Sequence, residues 1–176
     1  MKSPYSHDGE REIRKRFGSR YQFDESDLNS IIQPFITPPM AAFIHRQPFF
    51  FIATADEKGH CDASFRAQEY NASGEPLPVC AVVGKTELWF PDYKGNGFYN
   101  SLGNILVNPH IGMLFIDFEC RRRLRVNGSA RILEADEDIR NLWPLAQAAV
   151  KVTVEQVYSN CPARIPKMRI VAENED

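Results

Sequence analysis

The sequence predicts a mainly β protein: a six-stranded antiparallel barrel, closed or nearly so, with short flanking helices. Three observations lead there. Apolar or alternating runs of strand length recur between turn signals from residue 48 to residue 158. The helical patterns that interrupt them are short. About six strands in succession also leave exposed edges that closure of the sheet removes. At 176 residues, 43% hydrophobic and 25% charged, the chain suits one compact domain with a sizeable core. That domain is expected over residues 21–176, behind a basic arm over residues 1–20, mobile or draped on the surface, that carries Arg11, Arg14, Lys15 and Arg16.

Each element follows in turn. Residues 24–36 place apolar groups at helical intervals, and Thr37-Pro38-Pro39 starts another helix, with Thr37 as N-cap and proline at the first helical position. Residues 48–55 are apolar, aromatic and β-branched, with Phe49, Phe50 and Phe51 expected in the core. They end at Asp56-Glu-Lys-Gly59, a hairpin turn that returns the chain over 61–68. A loop rich in glycine, proline and asparagine follows, then a strand over 79–83. Gly84-Lys85 reads as a two-residue turn into a strand over 86–90, where Trp89 is a candidate interface residue. Phe98, Leu102, Ile105 and Leu106 mark one face of a helix that Asn108-Pro109 stops. Strands are expected over 111–118, 124–133 with a bulge at Asn127-Gly128, and 148–158, with a short helix over 136–142.

The net charge of −2 and pI near 6.1 give no bulk attraction to nucleic acid or an anionic membrane. Any anion site is therefore local. The four cysteines form no C-x-x-C pair and read as reduced thiols. No window reaches the roughly 18 apolar residues needed to span a bilayer, and the first twenty residues lack a signal-peptide core. The expectation is a cytoplasmic protein without a metal site.

Three stretches carry candidate chemistry. Lys94, Gly95, Asn96 and Gly97 join a strand to a helix, so backbone N–H groups, the helix dipole and the Lys94 charge converge on an anion such as phosphate. Ser64 and Arg66, two apart on a strand, share a face and offer a hydroxyl and a guanidinium to the same kind of group. Arg121, Arg123 and Arg125 share a strand face with Asn127 and read either as a site for negative charge or as a solvated, salt-bridged surface. The histidines are scattered, and no acid–base constellation is fixed by spacing.

Taken together, the segments 51–56 with Gly59, Asp62-Ala-Ser64-x-Arg66, Phe90-Pro-Asp92-x-x-Gly95-Asn96, Leu102-x-Asn104 through Asn108-Pro109, and Leu124-Arg-Val-Asn-Gly resemble the pyridoxamine 5'-phosphate oxidase-like, FMN-binding split-barrel proteins. The resemblance spans about residues 40–165. It implies a homodimer with FMN at the subunit interface and a small-molecule substrate. By position, Ser64, Arg66, Gln68, Lys94, Gly95, Asn96 and Asn104 would surround the phosphate and ribityl chain, and Arg123 and Arg125 would approach the flavin ring or the substrate. The function it implies is an FMN-dependent oxidoreductase passing electrons between a nicotinamide or other reductant and a small acceptor. A barrel that stores or senses FMN, or holds haem or a deazaflavin, is the alternative; haem would call on His45, His60 or His110 as axial ligand. Residues that recognise pyridoxal phosphate are not recognisable, so vitamin B6 synthesis is not expected.

Overall fold

Side-chain alternation sets the first hairpin. In the computed structural model, which describes residues 3–18 and 25–171, three helices come first: α1 (Asp8–Phe17), α2 (Glu25–Ile31) and α3 (Pro38–His45). Thr37 takes the extended N-cap conformation ahead of Pro38, as its sequence predicts. Helix α1 lies within the basic arm and buries no residue. Asp24, at the start of the helical pattern, and the acidic C-terminus at 173–176 lie outside the described residues.

Strand β1 (Phe49–Ala55) buries Phe50, Ile52 and Thr54 and turns Phe51 and Ala53 outward. Only the central member of the Phe49–Phe51 run therefore enters the core. Its ring stacks on Phe115 with centroids 5.0 Å apart and meets Phe90 edge-on at 5.4 Å. Strand β2 (Cys61–Ala67) returns across a turn fixed by Asp56, whose carboxylate accepts the amides of Lys58 and His60 and contacts the His60 ring at 2.8 Å. These contacts, the His60 amide foremost, hold the Asp56 carboxyl below the usual carboxylate range. Gly59 supplies the φ of +84° that the turn requires.

The remaining elements are β3 (Ala81–Gly84), β4 (Glu87–Tyr93), α4 (Asn100–Val107), β5 (His110–Asp117), β6 (Arg122–Glu134), α5 (Glu137–Leu142) and β7 (Ala146–Ser159). The strands form one antiparallel sheet in the order β2-β1-β5-β6-β7-β4-β3. The architecture is the expected mainly β one, with seven strands where six were predicted. All seven correspond to the strand ranges read from the sequence, which the six-stranded count understated by one; β3, expected over 79–83, is a four-residue edge strand that pairs with β4 only over residues 87–89. Pro91 lies two residues beyond Trp89 and has no N–H to donate to a ladder. The β3–β4 turn also differs from expectation: Gly84 pairs with Glu87, so Lys85 and Thr86 form the turn and Gly84 ends the strand.

Two apolar clusters support the sheet. The larger fills the curved interior with Ile44, Phe50, Leu88, Phe90, Phe115 and Val126 among its members. The smaller gathers Ile139, Trp143, Ala146 and Ala149 under α5, and the half-buried Trp89 packs against it. Helix α4 buries Leu102 and Ile105, while Phe98 and Leu106 are 75% exposed. Phe98 precedes the helix, so it does not share the helical face its spacing suggested.

The register of β6 against β7 shifts between Asn127 and Gly128, which is the bulge the sequence predicts. A Cβ at Gly128 would collide with the Thr153 carbonyl and lie 3.2 Å from the Val154 Cα. Both are backbone atoms of β7, so no side-chain rotation relieves the clash. Gly128→Ala is expected to cost about 3 kcal/mol and to lower Tm by roughly 10 °C; thermal unfolding by circular dichroism checks this, and a loss under about 2 °C would show that the two strands separate easily.

Candidate functional site

Strand β2 ends the sheet on one side, and β4 stands one strand from the other end. No backbone ladder joins them. Arg66 of β2 nevertheless reaches Asp92 of β4, Nη1 to Oδ1 at 2.9 Å, and closes the split in the sheet by side chains alone. Both groups are largely withdrawn from water, with side-chain exposures of 21% and 7%. The Arg66 guanidinium also lies over the Phe90 ring, 5.9 Å from its centroid. Asp92 Oδ2 accepts a second hydrogen bond from Gln147 Nε2 of β7 at 2.8 Å.

A cleft of about 470 Å³ opens at this split. Its walls are residues 62–66 of β2, the end of β4, the loop after it and the first turn of α4. The alternation of β2 is what aims Ser64 and Arg66 at one side, with their Cα atoms about 7 Å apart. The loop is shaped locally: Asn96 Oδ1 accepts the Phe98 amide at 3.0 Å, and Gly97 has φ +80°. Helix α4 begins only at Asn100, with Tyr99 as its N-cap in the left-handed conformation. The Lys94–Gly97 segment is therefore a loop one turn ahead of the helix rather than its first turn. Backbone of the loop and of residues 100–102 still borders the same cleft.

Two polar atoms of residues lining the cleft are buried without a hydrogen-bond partner: Arg66 Nε and the Tyr93 hydroxyl. Burial pushes the Tyr93 hydroxyl up to about 12, and Glu69 adds to the shift, so the group keeps its proton at neutral pH. An unmet buried donor costs about 1–3 kcal/mol, which an acceptor in the cleft would recover. The carboxylates at the cleft are already engaged: Asp62 accepts from the Ser101 hydroxyl at 3.3 Å, and Asp92 from Arg66 and Gln147. The cleft thus offers donors from Ser64, Arg66 and backbone amides, and suits an oxyanion, whereas the Tyr93 side chain packs against the cluster under α5.

The sequence-predicted residues divide. Ser64, Arg66, Gly95 and Asn96 line the cleft, and Lys94 is exposed beside it. Gln68 shares their strand face but lines a separate hollow of about 850 Å³, with Phe49, Phe118, Arg46 and Arg169 among its walls, and bonds the Tyr70 hydroxyl at 3.2 Å. Asn104 ties α4 to β1 through Thr54 Oγ1 at 3.1 Å and does not line the cleft. Arg123 and Arg125 lie on β6; Arg125 bonds the Tyr158 hydroxyl at 3.2 Å and lies over its ring, away from the cleft. Asp92, Tyr93 and Gln147 complete the site without having been singled out. Asp92 stood in the Phe90-Pro-Asp92 motif; for Gln147, some 55 residues away, the sequence carries no signal.

Histidines are absent from the cleft lining. His45 Nε2 accepts the Val82 amide at 3.4 Å, and His60 is paired with Asp56. Among the described residues no cluster of His, Cys, Asp or Glu is arranged to hold a metal, and no helix is long and apolar enough to cross a membrane. The four cysteines are free thiols, and burial raises the Cys80 thiol well above its ordinary range, which keeps it inert.

The outer face of β1, β2 and β5 is apolar. Phe51 and Phe65 are opposed in register, 37% and 57% exposed, and in ring contact at 5.7 Å, with Leu114 beside Phe51.

Comparison with known proteins places this geometry. The chain is similar in structure to HupZ of Group A Streptococcus, with TM-score 0.56 and 21% identity over 70% of this chain and 93% of that one. It is also similar to a protein from Lactobacillus delbrueckii assigned as a pyridoxamine 5'-phosphate oxidase, with TM-score 0.53 and 16% identity over 72% and 95% of the two chains. At these identities the likeness is one of fold. No curated protein matches the chain by sequence. Residues 36–170 match the sequence profile of the family named pyridoxamine 5'-phosphate oxidase, and with three quarters of its length inside that match the chain belongs to this family.

Proposed function

We propose that the protein binds FMN non-covalently and serves as an FMN-dependent oxidoreductase, with the cofactor's phosphate held in the cleft at the split of the barrel. The observation that carries this reading is the buried, partnerless Arg66 Nε on a guanidinium whose Nη1 is already fixed by Asp92. A guanidinium held at one nitrogen keeps its other edge for a planar two-point contact with a phosphate. Ser64 adds a neutral donor, the backbone around Gly95 and Asn96 allows close approach, and Lys94 adds charge at the mouth. FMN, when bound, supplies the hydride and electron chemistry; the protein's part is to hold, orient and shield it. The 850 Å³ hollow, with Phe49 and Phe118 stacked at 6.2 Å in its wall, is of a size and character to receive the small molecule that exchanges electrons. Haem has less support, because no histidine lines the cleft and two of its three candidate ligands are engaged elsewhere.

The same reading includes a homodimer. An apolar sheet face with exposed, mutually packed Phe51 and Phe65 is the kind of surface that a second copy covers. Arg123 and Arg125 lie on β6, beside β5 and opposite Ile116 and Leu114, so a dimer formed through this face would bring them to the interface.

The purified protein is expected to show a flavin spectrum, or to acquire one with added FMN, and to release FMN on heating as identified by mass. Arg66→Lys keeps a charge opposite Asp92 but loses the planar fork, and is expected to weaken FMN binding at least tenfold, or about 1.4 kcal/mol. A colourless protein that takes up no FMN overturns the proposal. Light scattering after gel filtration tests the dimer: the wild type should run at twice the chain mass and Phe65→Glu at the chain mass, whereas a monomeric wild type at micromolar concentration removes the dimer.

A further inference from the structure

The Arg66–Asp92 pair has a third member, and the way the three are joined assigns a role to each. Asp92 has two carboxylate oxygens and both are used: Oδ1 accepts from Arg66 Nη1 at 2.9 Å, and Oδ2 accepts from Gln147 Nε2 at 2.8 Å. The Gln147 amide also makes a long contact, 3.4 Å, to the Tyr93 carbonyl. Residues from β2, β4 and β7 are thereby linked across the split of the sheet, and only β4 and β7 are ladder neighbours. A carboxylate bonded on both oxygens has its plane fixed, and a fixed carboxylate fixes the guanidinium that faces it.

The consequence is directional. Nη1 is the guanidinium nitrogen on the side away from the Nε–H, so holding Nη1 on Asp92 leaves the edge made by Nε and Nη2 for another acceptor. That edge contains the partnerless Nε. Without Asp92, the Arg66 side chain could rotate to give an anion any of its donors. With Asp92 in place, only one edge is offered, and the buried charge of the arginine is already balanced. We infer that Asp92 is a positioning residue for the cofactor phosphate, and that Gln147 acts through Asp92 to set the edge of Arg66 that the phosphate meets. Neither residue touches the phosphate in this arrangement. The inference rests on the cofactor reading above.

Exchange of the hydrogen-bond partners tests it. Asp92→Asn keeps an oxygen for Arg66 but turns an N–H toward the Gln147 N–H, so one contact is lost whichever way the amide is flipped. Gln147→Glu sets two carboxylates against each other. When the two substitutions are combined, the new amide at position 92 donates to the new carboxylate at position 147 and again accepts from Arg66. The link is rebuilt with its net charge unchanged, and only the long contact to the Tyr93 carbonyl is given up. Dissociation constants would be measured by flavin fluorescence for FMN and for riboflavin, which lacks the phosphate, with circular dichroism to confirm folding. Each single variant is expected to bind FMN at least tenfold more weakly while riboflavin binding stays within twofold. The double variant is expected to return to within threefold of wild type for FMN. Gln147→Met, at a half-buried position, serves if Asp92→Asn fails to fold, and should weaken FMN alone by threefold or more.

If wild type binds FMN and the single variants bind it as tightly, or lose FMN and riboflavin equally, or the double variant does not recover, the positioning role is overturned while the cofactor reading stands. If wild type binds neither flavin, the cofactor reading falls and the positioning role falls with it.

Discussion

The ion pair between Arg66 and Asp92 is the constraint on which the rest of the site depends. A seven-stranded antiparallel sheet whose end strands do not pair leaves an open seam, and a seam is both a weakness and a place for a ligand. Here it is crossed by two opposite charges, Asp92 buried and Arg66 partly so. Removing Arg66 would leave the Asp92 carboxylate, only 7% exposed, without its counter-charge. The cleft forms around the pair because the strands diverge there.

Much of the surrounding structure serves to bring these two side chains into register. The β1–β2 hairpin places Arg66 opposite Phe50, on the face that continues the core, and the aromatic packing of Phe50 on Phe90 and Phe115 supports the surface on which the guanidinium rests. On the other side, the ladder of β3 with β4 ends at Trp89, two residues before Pro91. Asp92 and Tyr93 follow at once. The polar site thus begins where the chain stops making regular sheet.

The sequence was most legible where local rules govern. The shared face of Ser64 and Arg66, proline behind an N-cap at Thr37, the short helix near 136–142 and the Asn127-Gly128 bulge each express a preference that needs no distant partner. Legibility failed where tertiary context decides. Three consecutive phenylalanines read as core, yet a strand must turn the outer two away from the middle one. A glycine-lysine pair read as a turn, yet the register placed the turn one residue later. Within the site, Ser64 and Arg66 were found from their shared face, and Gly95 and Asn96 from the glycine-rich loop. Gln147 reaches Asp92 only because β7 pairs with β4, a relation between segments some 55 residues apart that no spacing in the chain reveals.

The central claim is that the seam between β2 and the segment following β4 is the cofactor site, and hydrogen–deuterium exchange with and without FMN tests it most directly. Added FMN should slow exchange together in residues 62–66 and 92–102, the two walls that the Arg66–Asp92 pair joins, and leave the backbone around α5 unchanged. Protection confined to one wall, or centred away from both, would contradict the account.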